Sequence, residues 1–176
     1  SEMCIRDSMG TIPTGIIGLA FKDTFEKLFS SVITVGYMLL ITGIILMIAE
    51  FISRTMMNST KFNYWQSFII GIGQGMAITP GISRSGTTIA VGLLVGLERI
   101  EAARFSFLLS IPAILGASVI EAKDIVWTQS LGSDLILPYA VGVIVAAVSG
   151  YLAIKLLLDI LNRGKLYYFS FYCWLL

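Results

Sequence analysis

Long apolar runs separated by short polar segments make up most of the chain. Residues 31 to 52 carry no charge before Glu50, and a helix of that length rises about 30 Å, enough to cross a bilayer. Two further apolar runs predict spans: residues 105 to 120, with a kink at Pro112, and residues 135 to 158. The pattern therefore predicts an all-α, polytopic transmembrane helical bundle.

Shorter runs and polar segments lie between and beside these spans. The apolar stretches at residues 9 to 21 and from 166 to the end are too short to cross alone, and each is predicted to be an incomplete helix. The polar segments are predicted to be links, loops or turns: residues 22 to 30, 53 to 66, 98 to 104 and 121 to 134. In the third of these, Glu98, Arg99, Glu101 and Arg104 predict a solvated, salt-bridged turn.

Charge along the chain predicts which polar segments share a side of the membrane. Residues 53 to 66 and residues 155 to 165 each carry a net charge of +2, whereas residues 121 to 134 carry −2. Cytoplasmic loops carry an excess of lysine and arginine. Both positive segments are therefore predicted on the cytoplasmic face and the negative segment on the opposite face.

Two half-length apolar runs flank a polar break in the middle of the chain. The first, residues 67 to 79, is too short to cross and ends at Pro80 and Gly81, which interrupt a helix. The second, residues 86 to 97, follows the polar stretch "PGISRSGTT" of residues 80 to 88. The pair predicts a re-entrant helix-loop-helix hairpin or a broken helix, and the charge pattern favours a hairpin that enters from the cytoplasmic side.

Composition agrees with a membrane protein and excludes several other classes. Hydrophobic residues make up 56% of the chain and charged residues 13%, against about 25% charged residues in a soluble domain. The net charge is +1 without a basic block, which excludes a nucleic-acid partner. The chain has two cysteines and no histidine, so it offers no disulfide framework, no zinc motif and no histidine general base.

The polar break holds the strongest candidate for chemistry. An arginine near the bilayer centre costs at least about 2.5 to 3.5 kcal/mol, so Arg84 needs a compensating interaction. A half-helix that begins around Ser85 offers free amides and the positive end of its dipole, with Ser83 or Ser85 as the N-cap. Because a guanidinium suits bidentate contact with phosphate, we predict that Arg84 holds a phosphate group.

Other interpretations of these residues stay open. Arg84 can instead form a structural ion pair with a carboxylate elsewhere. A nucleotide-binding loop is disfavoured, because Thr87 replaces the lysine that such a loop requires. Gln74 can bond across helices or reach a ligand, and Ser106 and Ser110 can line a cavity or bond to helix backbone.

Small residues at a spacing of four predict close helix packing. The pairs are Gly71 with Gly75 and Gly92 with Gly96, both of the GxxxG type. In membrane helices, glycines at this spacing let two backbones approach closely. We therefore interpret all four as packing positions and not as ligand contacts.

Residues 71 to 117 resemble the signature region of the bacterial undecaprenyl-diphosphatases, the bacitracin-resistance family, and the likeness covers nearly everything after Ser8. The segment "FSFLLSIPA" fits the family as well. The PGxSRSGxT pattern of that family is matched at Pro80, Gly81, Ser83, Arg84, Ser85, Gly86 and Thr88.

The resemblance implies an integral protein of the bacterial inner membrane that removes the terminal phosphate of undecaprenyl diphosphate. The product is the carrier lipid of cell-wall synthesis. It also implies two inverted repeats, each with a re-entrant hairpin, and a pocket between them. Arg84 is then the phosphate clamp. The other substrate-binding candidates are Ser83, Ser85, Gly86, Thr88 and Gln74.

The chain departs from the family pattern because the glutamate-rich helix and the histidine of the first repeat have no matching positions. We expect residues 1 to 8 to be extraneous, residues 9 to 176 to be a membrane domain without the first repeat, and this chain alone to be inactive. The resemblance implies a divalent cation, Mg²⁺ or Ca²⁺, with ligands outside this chain. A homodimer is an open alternative.

The rival functions are a transporter or lipid flippase that binds an anionic substrate at a broken helix, and a scaffold without chemistry.

Overall fold

The computed structural model describes residues 2–29, 31–55, 62–128 and 136–176. Within these ranges the chain is helical and contains no strand, which confirms the all-α class. The helices are α1 Glu2–Ala20, α2 Lys22–Phe29, α3 Val32–Thr55, α4 Tyr64–Met76, α5 Arg84–Leu94, α6 Arg99–Thr128, α7 Ile136–Asn162 and α8 Tyr167–Leu175.

Three of the described helices are long and apolar enough to cross a membrane. They are α3, the Arg99–Val119 part of α6 and the Leu137–Asn162 part of α7. Large apolar side chains cover the outer surface of α7, where lipid can replace water as the solvent. The prediction of a polytopic membrane protein is confirmed.

Helices α4 and α5 form the predicted helix-loop-helix. At about 1.5 Å per residue they are about 20 and 16 Å long, and neither can cross a bilayer alone. Helix α4 packs against α1, and α5 packs between α3 and α6. The helical halves and the break between them are confirmed, whereas entry and exit on one membrane side stay a prediction.

The core lies around α5 and is built from side chains of several helices. Ile89 and Leu93 of α5 are fully buried together with Ile70 of α4 and Leu109 of α6. Leu46 of α3 belongs to the same cluster. Burial on all sides fixes α5 in place, and with it the polar turn at its N-terminus.

Two segments predicted to be links or loops are helical. Residues 22 to 29 form α2, with Asp23 in the first turn and Lys27 in the last, where each charge opposes the helix dipole. Helix α6 continues from its membrane-spanning part to Thr128, through good helix formers such as Ala122 and Lys123. Both predictions were wrong because they followed hydrophobicity and ignored propensity. Residues 129 to 134 of the second segment, and 56 to 61 of the 53 to 66 link, lie outside the described ranges.

The first and last helices include the two short apolar runs. Helix α1 begins at Glu2, so residues 2 to 8 continue the same helix as the apolar run after them. Whether residues 1 to 8 are extraneous stays a prediction. Helix α8 accounts for the closing run. Helix α6 continues through Pro112, and the kink there stays a prediction.

The two positive segments meet at one end of the bundle. Arg54, at the end of α3, donates from Nη2 to the carbonyl oxygen of Gly164 at 3.0 Å. Gly164 follows α7, within the second +2 segment. The negative segment begins on the last turns of α6, about 30 Å or more from Arg99 at the start of that helix. The contact places Arg54 at the end of α7, and the segregation of charge between the two membrane faces stays a prediction.

The prediction of a solvated turn at residues 98 to 104 is only partly correct. Arg104 Nη1 lies 3.0 Å from Glu101 Oε1 in an exposed pair, as predicted. Arg99, in contrast, is largely buried and binds Glu50 of α3, with Nη1 2.6 Å from Oε2. Glu50 is 3% exposed, so this ion pair belongs to the interior.

The packing prediction is confirmed for three of the four glycines. A Cβ at Gly71 would overlap the backbone oxygen of Gly10 in α1, and a Cβ at Gly75 would lie 2.6 Å from Ile17 Cδ1. A Cβ at Gly92 would lie 2.9 Å from the Cβ of Ala102 in α6. Glycine is therefore required for the close approach of α4 to α1 and of α5 to α6.

For Gly96 the packing prediction is wrong. Its φ is +88°, and a Cβ there would meet nothing within 4 Å. Its N–H donates to Leu93 O at 3.0 Å, and the N–H of Leu97 donates to Gly92 O at 3.0 Å. This is the Schellman arrangement, in which a glycine ends a helix in the left-handed conformation.

Replacing Gly71 by alanine should destabilise the protein by about 1 to 3 kcal/mol, because the added methyl group forces α4 away from the α1 backbone. The matched control is Gly116→Ala in α6, where an added Cβ meets nothing within 4 Å. Alanine there should be neutral or stabilising through its helix propensity. Denaturant unfolding in detergent micelles measures both, and equal midpoints for the two variants would contradict the packing assignment.

Candidate functional site

The turn between α4 and α5 is held against α3 by backbone and hydroxyl contacts. Gly81 has φ +89° and lies so close to Val35 that a Cβ would overlap the Val35 carbonyl oxygen. The hydroxyl of Thr42, fully buried on α3, lies 3.3 Å from Gly81 O and accepts the N–H of Ser83 at 3.3 Å. Thr42 therefore positions the turn. A threonine within an apolar span was the only sequence signal, and the sequence analysis missed it.

Ser83 is the N-cap of α5, which confirms the first of the two predicted alternatives, Ser83 and Ser85. Its Oγ accepts the Gly86 N–H at 3.2 Å, and its carbonyl accepts the Thr87 N–H at 2.8 Å. A Cβ at Gly86 would lie 2.9 Å from Ser83 Oγ and disturb this cap. Gly86 thus has a structural reason to be glycine, apart from any contact with substrate.

Arg84 and Ser85, the first two residues of α5, have polar groups that are available to bind a ligand. Their side chains are partly exposed, and the guanidinium of Arg84 forms no hydrogen bond or ion pair with any residue that the structure describes. The backbone N–H groups of both residues also lack a partner within the described ranges. Guanidinium, hydroxyl and two amides thus form an anion-binding arrangement at a helix N-terminus.

Thr88 lies one turn further along α5 and is buried. Its hydroxyl lies 2.9 Å from the carbonyl oxygen of Arg84 and contacts the hydroxyl of Ser106 in α6. Ser110, the other serine predicted to line a cavity or bond to backbone, donates to Phe107 O at 2.7 Å. These hydroxyls join helices and cap backbone, so Thr88 supports the site from beneath its first turn.

Gln74 belongs to a different region of the bundle. It is 1% exposed, and its Nε2 lies 3.4 Å from both Thr14 Oγ1 of α1 and Leu109 O of α6. Its Oε1 has no partner among the described residues. Of the two predicted alternatives, the structure shows the bond across helices, and substrate contact by Gln74 stays a prediction.

A cavity of about 250 Å³ opens beside the turn. Ser83, Ser85 and Gly86 line one side of it. Apolar and aromatic side chains from α3, α5, α7 and α8 line the rest, among them Leu39, Ile89, Leu157, Phe169, Tyr172 and Cys173. The candidate anion site therefore adjoins an apolar space.

The described part of the chain contains no ready-made cluster of metal-binding side chains. It contains no group of three or more histidine, cysteine, aspartate or glutamate side chains that could hold an ion. Mg²⁺ and Ca²⁺ take oxygen ligands, and aspartate and glutamate carboxylates are the charged ones among them. The described residues thus offer no cluster of three or more such side chains for the implied cation, and we derive no chemical step through it.

Comparison with known proteins gives a consistent result. The family model described as "Bacitracin resistance protein BacA" matches residues 2–176. An undecaprenyl-diphosphatase of Halothermothrix orenii is 52% identical over 167 residues, which are 95% of this chain and 64% of the relative. One of Methanothermobacter thermautotrophicus is 51% identical over 172 residues, 96% of this chain and 93% of the relative. One of Carboxydothermus hydrogenoformans is 50% identical, covering 95% of this chain and 64% of the relative. The chain therefore spans less than two thirds of two of these relatives and most of the third.

Proposed function

Because this chain belongs to the bacitracin resistance protein family, we propose that it acts in the hydrolysis of undecaprenyl diphosphate to undecaprenyl phosphate and inorganic phosphate. The relatives reported above carry the name undecaprenyl-diphosphatase. The observation that carries the proposal lies at the start of α5, where the Arg84 guanidinium and the amides of Arg84 and Ser85 have no partner among the described residues.

The geometry supports phosphate binding and charge stabilisation. Phosphoryl transfer is catalysed mainly by positioning the phosphate and by stabilising the charge that develops on its oxygens. Arg84 offers a planar, permanently charged group for two phosphate oxygens, and the amides of Arg84 and Ser85 offer further donors. Ser83 shapes this helix end through its cap and lies on the wall of the adjoining cavity.

The wider biological setting is part of the same proposal. The product would re-enter cell-wall synthesis as carrier lipid, and the substrate would be taken from the bacterial inner membrane. A divalent cation and a homodimer stay in the proposal as expectations from the family resemblance. Any cation would use ligands other than an acidic or histidine cluster of the described residues.

The test is phosphate release from undecaprenyl diphosphate by the purified protein in detergent micelles. Inorganic phosphate above the level of a heat-treated sample supports hydrolysis. Transfer of intact diphosphate lipid between the leaflets of vesicles, without phosphate release, would favour the transporter or flippase, for which the α4–α5 break is also suitable. Binding of the lipid with neither activity would contradict hydrolysis by this chain, and it would agree with the expectation that the chain is inactive alone.

A further inference from the structure

Helices α3 and α8 enclose an open groove of about 790 Å³ on the outer surface of the bundle. Its lining is mostly apolar and includes Ile48 and Phe51 of α3 and Phe171 of α8. Two charged residues of α3, Glu50 and Arg54, also line it. Pockets of about 300 to 1,000 Å³ hold small ligands, so the groove is large enough for part of a hydrocarbon chain.

The groove runs along α3 from its C-terminal end toward the middle of the span. Helix α8 lies antiparallel to α3, because Arg54 contacts Gly164 just before α8, and Trp174 near the end of α8 contacts Leu40. Arg54 is in the last turn of α3, and Met47 lines the groove about 10 Å deeper. A hydrocarbon chain in the groove would therefore have its head group at Arg54.

The Arg54 end of the groove carries more positive than negative charge. Glu50 faces two arginines, with Oε2 2.6 Å from Arg99 and Oε1 2.8 Å from Arg54. One carboxylate cannot neutralise both, and the Arg54 side chain is 57% exposed. Lys165, one residue beyond the carbonyl that Arg54 contacts, forms no ion pair with any described acid. An anionic head group at this end would therefore be attracted.

We propose that the groove between α3 and α8 binds an anionic phospholipid, with its phosphate at Arg54 and Lys165 and one acyl chain between Phe51 and Phe171. Basic pockets between membrane helices near the interface bind anionic lipid head groups. The site is separate from the turn before α5, because Arg54 lies about 18 Å along α3 from Thr42, which holds that turn. The inference goes beyond hydrolysis and does not depend on it.

Charge also argues against two other occupants of the groove. A second copy of this chain, related by an axis along the membrane normal, would bring its own positive groove end to the same depth. A zwitterionic lipid carries an ammonium group beside its phosphate, which cancels most of the attraction to two cations. An anionic phospholipid has neither disadvantage.

Competition binding tests the chemistry of the occupant. Radiolabelled phosphatidylglycerol is bound to the purified protein in micelles of a neutral detergent. Unlabelled phosphatidylglycerol should displace it at a concentration about tenfold lower than phosphatidylcholine needs. Equal displacement by phosphatidylcholine would overturn the proposal, because the charge would then not be recognised. Stronger displacement by undecaprenyl phosphate than by phosphatidylglycerol would also overturn it, because the labelled lipid would then lie in a site for the carrier lipid.

Filling the groove tests the position of the acyl chain. Ile48 lines the groove, whereas Ile44, one turn earlier on α3, does not. Their side chains are similarly accessible, at 48% and 50% exposed. Ile48→Trp is expected to weaken phosphatidylglycerol binding about tenfold, and Ile44→Trp should leave it unchanged. Equal binding by the two variants would contradict the groove as the site.

Charge removal tests the position of the phosphate. Arg54→Gln and Lys165→Gln should each weaken phosphatidylglycerol binding about fivefold. The matched control is Lys155→Gln, which removes an exposed lysine of α7 that does not line the groove, and its effect should be less than twofold. Arg99 keeps Glu50 paired when Arg54 is replaced, and unfolding midpoints check that each variant is folded.

The outcomes separate this inference from the proposed function. If Arg54→Gln unfolds early, Lys165→Gln decides, and unchanged binding by that variant would overturn the proposal. No turnover is measured in these experiments, so a chain that binds phosphatidylglycerol as expected and releases no phosphate would lose the proposed function and keep this site.

Discussion

Replacing Glu50 by glutamine should lower the free energy of unfolding by about 3 to 5 kcal/mol, the range typical of breaking a buried ion pair. The Glu50 carboxylate accepts two hydrogen bonds from Arg99, at 2.6 and 3.2 Å, and one from Arg54 Nε at 2.8 Å. Its side chain is 5% exposed and that of Arg99 17%. Without the negative charge, Arg99 keeps a positive charge in a largely buried place with no counter-ion.

The matched control is Glu101→Gln, which removes the partner of Arg104 in an exposed pair. Exposed pairs contribute about 0 to 1 kcal/mol, so this variant should unfold close to the unchanged protein. Unfolding in denaturant within detergent micelles measures both. Equal midpoints for the two variants would contradict a structural role for the Glu50 cluster.

A double replacement distinguishes the loss of the ion pair from the cost of leaving one unpaired charge buried. Glu50→Leu combined with Arg99→Leu removes both buried charges, and it should be less destabilising than either single change. Because Arg54 also contacts Gly164 after α7, the cluster ties together α3, α6 and the end of α7. Helix α5 packs between α3 and α6, so loosening this cluster should also disturb the turn that begins at Ser83.

The sequence predicted the features that depend on local chemistry. The apolar run of α3 is long enough to cross a membrane as one helix. Pro80 and Gly81 mark the end of the first half-helix. Serine in front of a helix is a frequent N-cap, and the structure shows that cap at Ser83. Each of these follows from a few neighbouring residues.

Features that depend on distant residues were not predictable from the pattern. Arg99 and Glu50 are 49 positions apart, and nothing local shows that Arg99 turns into the bundle and not outward to solvent. Thr88 was predicted to bind substrate, which stays a prediction, and its contact with Ser106 is visible only once α5 and α6 are packed together. The cavity wall from α8 lies more than 80 residues beyond the turn in the chain, so its position beside Ser83 needed the fold.

Replacing Arg84 by alanine should weaken binding of a lipid diphosphate about tenfold to hundredfold. A hydrogen bond to a charged group contributes about 1.5 to 3 kcal/mol, and each 1.4 kcal/mol is a factor of about ten in affinity. Because the guanidinium has no hydrogen-bond or ion-pair partner among the described residues, its removal should leave the unfolding midpoint nearly unchanged. A loss of binding without a loss of stability is the expected result.

Two further variants show whether anion binding at residue 84 depends on the planar shape of the guanidinium or only on its positive charge. Arg84→Lys keeps the charge but loses the planar pair of donors, so it should recover only part of the affinity. Arg104→Ala removes an exposed arginine on α6, and it should bind as the unchanged protein does. Titration with a fluorescent prenyl diphosphate in micelles measures all three. If Arg84→Ala bound as tightly as Arg104→Ala, the anion would lie elsewhere. If Arg84→Ala instead unfolded early, the guanidinium would have a structural partner, and the open alternative of an ion pair would replace the phosphate clamp.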